Sequence, residues 1–211
     1  MNFITDSYKY KNTVYEKQVL NVEQKNFANW TESSIYGYMG GGTVPGTPIS
    51  VSTDTVSRLD FFNETLSNPG YNLPSARSGL AAVSSSSYGY FGGGSSGGVV
   101  CIIERIDFFT ETTSSPGKNL TQGIRQLTAV STEQRASTVN KGFSSFTATY
   151  GYFGGGNTST PTTVNIIDRI DFSTETTSAP GKNLTKSRYE LVTTSSGSYG
   201  YFLGGNDPSV V

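Results

Sequence analysis

The chain has 211 residues, 25 of them glycine, with 34% hydrophobic and 15% charged residues and a formal net charge of −1. One cysteine and no histidine exclude an internal disulfide, a zinc site built on His or Cys ligands and any catalytic triad with an imidazole base. The near-zero charge leaves no basic field to neutralise phosphates, so nucleic acid is not an expected partner, and no run approaches membrane-spanning length.

In chain order, residues 1–30 come first and share no signature with the rest. They hold Lys9, Lys11, Glu16, Lys17, Glu23 and Lys25, which suits an N-terminal arm or docking segment, or else a solvated linker. Residues 13–28 carry a weak helical pattern. Met1–Lys9 contain no apolar signal core.

From residue 31 to 211 the chain repeats. Tyr-Gly-Tyr occurs at Tyr36-Gly37-Tyr38, Tyr88-Gly89-Tyr90, Tyr150-Gly151-Tyr152 and Tyr199-Gly200-Tyr201, with spacings of 52, 62 and 49 residues. Each copy runs into glycines that include Gly41, Gly93, Gly155 and Gly205. Between copies stand Arg58-Leu59-Asp60-Phe61, Arg105-Ile106-Asp107-Phe108 and Arg169-Ile170-Asp171-Phe172. A Pro-Gly turn follows each, then Asn-Leu, then an arginine (Arg77, Arg125, Arg188). A fixed order at a period near fifty marks a repeat architecture.

The local pattern within each unit is β. Short apolar runs alternate between Gly, Ser, Asn and Pro, and in Arg105–Phe108 the isoleucine and phenylalanine share one face. Four strands per unit are expected, over residues 80–84, 88–92, 100–109 and 111–115 in the second copy. Glycine repeated at one strand position implies close backbone approach, here near a crowded axis. Tyr38, Tyr90 and Tyr152 are expected to pack between units. The segment 132–147 accounts for the longest spacing and is expected as a loop. Cys101, between Val100 and Ile102, is expected to be a buried, inert thiol.

These residues resemble the kelch repeat, the β-propeller blade whose second strand ends in a glycine doublet after an aromatic. Tyr88-Gly89-Tyr90-Phe91-Gly92-Gly93 carries that phrase, and Arg105–Phe108 stands where the family has its hydrophobic-Tyr-Asp strand. The resemblance covers residues 31–205 and implies an all-β fold, a β-propeller of four-stranded blades. It departs from the family at the fourth strand, where Thr113 and Thr177 replace the usual tryptophan. The phrasing is further similar to kelch-like virion structural proteins of tailed, especially marine, bacteriophages. That similarity implies a non-catalytic structural or attachment role in a virion, with other virion proteins, further copies of the chain or a host surface glycan as partners. The alternatives are a lectin-like propeller and a cytoplasmic kelch-type adaptor.

No catalytic, cofactor or metal residues are assigned. Arg58 with Asp60, Arg105 with Asp107 and Arg169 with Asp171 are expected as local ion pairs that stabilise each blade. Glu64, Glu111 and Glu175 recur at equivalent places and belong to the repeat frame, while nothing makes Asp54, Asp168 and Asp207 converge. Three full units and the first half of a fourth suggest an incompletely covered ring. It would be completed by further chain, by other copies, or by the N-terminal arm.

Overall fold

The computed structural model describes residues 36–46, 50–135, 146–160, 162–196 and 198–207. The N-terminal segment 1–30, with the helix expected over 13–28, lies outside the described residues. The described residues are all-β, and every strand pairing is antiparallel.

The first sheet is built from β1 (Tyr36–Gly40), β4 (Val56–Asp60) and β5 (Thr65–Ser67), in the order β1-β4-β5; a small ribbon of β2 (Thr43–Val44) and β3 (Val51–Ser52) lies between. The second runs β6 (Ala81–Ser84), β7 (Tyr88–Gly92), β8 (Ile103–Asp107) and β9 (Thr113–Ser114) in sequence order. The third repeats it with β10 (Thr128–Arg135), β11 (Phe146–Gly154), β12 (Ile167–Asp171) and β13 (Thr176–Ser178). The fourth sheet has two described strands, β14 (Val192–Ser195) and β15 (Gly200–Leu203).

Three expected spans change, the simplest being the fourth strand of the second unit, which shrinks from 111–115 to Thr113–Ser114 because Glu111 lies in the turn with φ of 55°. The third strand of the second unit is shorter than 100–109, because its first residues bond elsewhere: Val100 N–H donates to Gly94 O at 2.9 Å, and Cys101 O accepts from Leu120 N–H at 2.8 Å. Cys101 itself is only half-buried, against the edge of the core. The segment 132–147 is not a loop throughout. Its ends prolong β10 and β11 into a longer hairpin, with a bulge between Ser131 and Glu133; residues 136–145 lie outside the described ones.

The core lies between sheets. Val56, Leu73, Phe91 and Ile106 form one buried cluster where the first sheet meets the second. Val83, Tyr90, Ile103, Leu120, Ile124, Leu127, Phe153 and Ile170 form another where the second meets the third. At each junction a phenylalanine of one sheet lies on a glycine of the one before: Phe91 on Gly40, Phe153 on Gly92, Phe202 on Gly154. A Cβ on Gly92 would stand 2.7 Å from Phe153, inside contact distance. The crowding foreseen at these glycines therefore comes from the neighbouring sheet's ring. The next glycine in each run meets a backbone instead. Gly93 has φ of 70°, and its Cβ would lie 2.4 Å from the Ile124 carbonyl oxygen.

Gly205 is not the counterpart of Gly41, Gly93 and Gly155. Leu203 occupies the position of Gly40, Gly92 and Gly154, so Gly204, with φ of 62°, matches Gly93. Gly205 packs against the Tyr189 carbonyl as Gly94 packs against that of Ser78.

Two glycines separate the steric and the conformational demand. Gly92→Ala should destabilise by about 1–3 kcal/mol through overpacking against Phe153. Gly117 has φ of 74° and open space around it, so Gly117→Ala should cost only the left-handed backbone penalty of about 1 kcal/mol. Urea denaturation of the two variants measures the difference.

Candidate functional site

The chemistry of this chain is concentrated at the sheet junctions. Arg58 and Asp60 lie on one face of β4, as alternation requires, yet they do not pair with each other. Arg58 Nη1 reaches across to Glu111 of the second sheet, 2.7 Å from Oε1 and 2.9 Å from Oε2. Arg105 reaches Glu175 of the third sheet in the same way. At Arg58 and Arg105 the expected local Arg–Asp pairs are thus replaced by inter-sheet pairs. The physical reason is reach: the long guanidinium stem spans the gap between sheets, and the short aspartate cannot.

The aspartates shape the turns instead. Asp60 Oδ1 accepts from the N–H groups of Phe62 and Asn63, Asp107 Oδ1 from those of Phe109 and Thr110, and Asp171 Oδ1 from those of Ser173 and Thr174. Such side-chain acceptors stand in for the next backbone carbonyl and fix a tight turn. Hydrogen bonds led by that from Asn63 N–H hold Asp60 below the usual carboxylate range, and those led by the Ser173 hydroxyl do the same for Asp171.

Each turn then presents its glutamate with a left-handed backbone: φ is 53° at Glu64, 55° at Glu111 and 53° at Glu175. Glycine would adopt that conformation without strain. The carboxylate is what the position supplies, since Glu111 also accepts from the Tyr38 hydroxyl at 2.8 Å and Glu175 from the Tyr90 hydroxyl at 3.0 Å. The tyrosine rings lie flat on the next sheet. Tyr38 stacks on Phe108 with centroids 5.3 Å apart, and Tyr90 stacks on Phe172 at the same separation. Each arginine is also held over the first tyrosine of its own phrase, Arg58 over Tyr36 at 4.6 Å, Arg105 over Tyr88 at 4.5 Å and Arg169 over Tyr150 at 4.7 Å. Burial, reinforced by the glutamate, raises the Tyr38 and Tyr90 hydroxyls well above the ordinary phenol range.

The third set is incomplete. Tyr152 and Arg169 occupy the places of Tyr90 and Arg105, but Arg169 meets no carboxylate among the described residues, and its Nε is buried without a partner. In the fourth sheet Tyr199 and Tyr201 are exposed.

A second polar layer lay hidden in the linkers. Arg77 is fully buried; it donates to Gly93 O at 2.8 Å, to Ile102 O at 3.0 Å and to Glu104 Oε2 at 2.8 Å. Ser75 donates to the other Glu104 oxygen at 2.7 Å. Arg125 does not repeat this role. The buried place belongs to Ile124, whose carbonyl accepts from Gly94 N–H at 2.8 Å as Arg77 O accepts from Gly42 N–H at 2.7 Å. Without an arginine there, the acid of the next sheet needs another donor. Asp168 is buried and takes both the N–H and the hydroxyl of Thr121. Arg188 returns to the first pattern, donating to Gly204 O at 2.8 Å. On the fourth strands, Thr113 and Thr177 donate to the linker carbonyls of Asn72 and Asn119.

One cavity of about 470 Å³ is lined by residues of all four sheets, among them Gly37, Val83, Val130 and Thr194. Its lining is backbone, small side chains, hydroxyls and aromatic rings, with no carboxylate or cation. Such a surface hydrogen-bonds and packs; it offers no acid–base pair. Among the described residues no three His, Cys, Asp or Glu side chains gather as metal ligands, and no helix is long and apolar enough to cross a membrane. The chain matches no protein-family model and no curated protein sequence.

Removing half of the buried pair tests the second layer. Arg77→Ile should destabilise by about 3–5 kcal/mol, because it leaves Glu104 charged and unpaired. Adding Pro74→Thr and Glu104→Asp, which copies the Thr121–Ile124–Asp168 arrangement, should recover most of that loss in urea denaturation. The tyrosines set an alkaline limit. A raised folded-state value means that their contribution is complete below the ordinary phenol pKa of about 10 and is lost as pH climbs beyond it. Tyr38→Phe/Tyr90→Phe should flatten the fall in stability above pH 10, followed by thermal unfolding against pH.

Proposed function

We propose that the chain is part of a kelch-like β-propeller that serves as a non-catalytic structural or attachment component of a virus particle. The sheets are its blades, and the cavity shared by all four marks the hub. Three features support the blade reading: one junction geometry used repeatedly, a core lying between sheets, and inner strands β6, β10 and β14 around one cavity. The ionic groups of the repeat are engaged in holding neighbours together, which favours a scaffold over a reaction centre.

The observation that carries the contact role is at the turns. Phe62 and Phe109, at equivalent tips of the β4–β5 and β8–β9 hairpins, are each 85% exposed. They add nothing to the blade, since Ser173 fills the same place in the third turn with the aspartate acceptor intact. Large exposed aromatics on rigid turns suit contact with a protein or glycan surface.

The test has two arms. Mass spectrometry of purified particles from a producing host should find the chain, and a soluble form should bind host cells. Phe62→Ser/Phe109→Ser should reduce that binding by about tenfold and leave the melting temperature unchanged. Absence from particles, or binding indifferent to both substitutions, overturns the proposal. Binding to a glycan array would move the reading to a lectin-like propeller.

A further inference from the structure

We infer that the free face of the first sheet and the free face of the fourth are two halves of one interface, through which a second copy of this chain docks head to tail. This goes beyond the propeller reading and does not rest on the particle assignment.

The internal junctions share one geometry. In each, a phenylalanine knob meets a glycine floor: Phe91 on Gly40, Phe153 on Gly92, Phe202 on Gly154. The four repeats contain one exception in each series. The knob of the first sheet is Met39, and the floor of the fourth is Leu203. The two exceptions fall on the two residues that would meet if the fourth face of one copy received the first face of another. They also compensate in volume. A phenylalanine ring needs a floor without a side chain, whereas an unbranched, adaptable methionine packs on a leucine.

Both residues are open to solvent here, Met39 at 51% and Leu203 at 49%, so neither half of the pair is satisfied among the described residues. The surroundings match the internal junctions too. Phe61 takes the place of Phe108 and Phe172, and Glu64 that of Glu111 and Glu175. Glu64 has no partner among the described residues. On the opposite face, Tyr201 takes the place of Tyr38 and Tyr90. Docking would stack Tyr201 on Phe61 and give its hydroxyl the Glu64 carboxylate, repeating two contacts seen twice inside the molecule. Leu66, which replaces Thr113 and Thr177, adds apolar area to the same patch. Such a contact is heterologous, so it builds a closed ring or an open filament.

The experiment uses the full chain. Sedimentation velocity should show a weight-average mass that rises with concentration. Leu203→Glu should weaken association by about tenfold or more, and Met39→Phe should weaken it by crowding the leucine. Met39→Phe/Leu203→Gly restores the internal knob and floor and should return association to within about threefold of the parent. In a Cys101→Ser background, chains with Met39→Cys and chains with Leu203→Cys should be joined by a short bismaleimide only when mixed. Circular dichroism confirms that each variant is folded. A monomer at all concentrations, association unchanged by Leu203→Glu, or cross-linking of either cysteine chain to itself alone would overturn the inference. Absence of the protein from particles would leave it standing.

Discussion

The seating of a phenylalanine ring on a bare glycine of the preceding sheet governs the rest of this structure. A small antiparallel sheet cannot bury enough apolar area by itself. Here both buried clusters lie between sheets, so each sheet is stable only as far as its neighbours cover it. The flat contact brings the backbones close, which is why glycine recurs and why the linker carbonyls of Arg77, Ile124 and Arg188 fall within reach of the N–H groups of Gly42, Gly94 and Gly156 in the preceding repeat. Every other interaction is arranged around that spacing.

The polar groups answer one question in different ways: how to hold charge inside a narrow gap. At the outer edge, an arginine over a tyrosine reaches a glutamate on the next sheet, and a second tyrosine donates to the same carboxylate. Deeper, a fully buried arginine satisfies two carbonyls and an acid. One junction replaces that arginine with isoleucine and lets a threonine serve the acid. The two deep solutions have different electrostatics but the same backbone path. That path, and not any particular ion pair, is what the repeat preserves.

Much of this was legible in the sequence. The repeat, the second-unit strands near 80–84 and 88–92, and the packing of Tyr38 and Tyr90 between units follow from period and alternation alone. The charged residues were less legible. Alternation told that Arg105 and Asp107 share a face, but it carries no information on reach, so their partners on other elements stayed hidden. Residue type aligns Arg125 with Arg77, although counting back eight residues from Leu80 and Leu127 to the preceding asparagines places Ile124 there. The recurrence of the glutamates is plain in the sequence; their left-handed backbone belongs to the turn, and their role as acceptors depends on the facing sheet. Leu203 displaces the glycine register by one, which is legible only by counting from Tyr199-Gly200-Tyr201 and not from the glycine doublet itself.

The bulge between Ser131 and Glu133 has a further consequence. In a ladder with a two-residue period, slippage by one position turns every side chain to the other face. An irregularity placed just beyond the buried part of β10 decouples the outer hairpin from the inner pairing. The distal stretch is thereby free to change length without disturbing Val130 or Phe153, much as a clutch lets one shaft turn while another stands still. Variation in that hairpin would be inherited as a new surface on an unaltered frame.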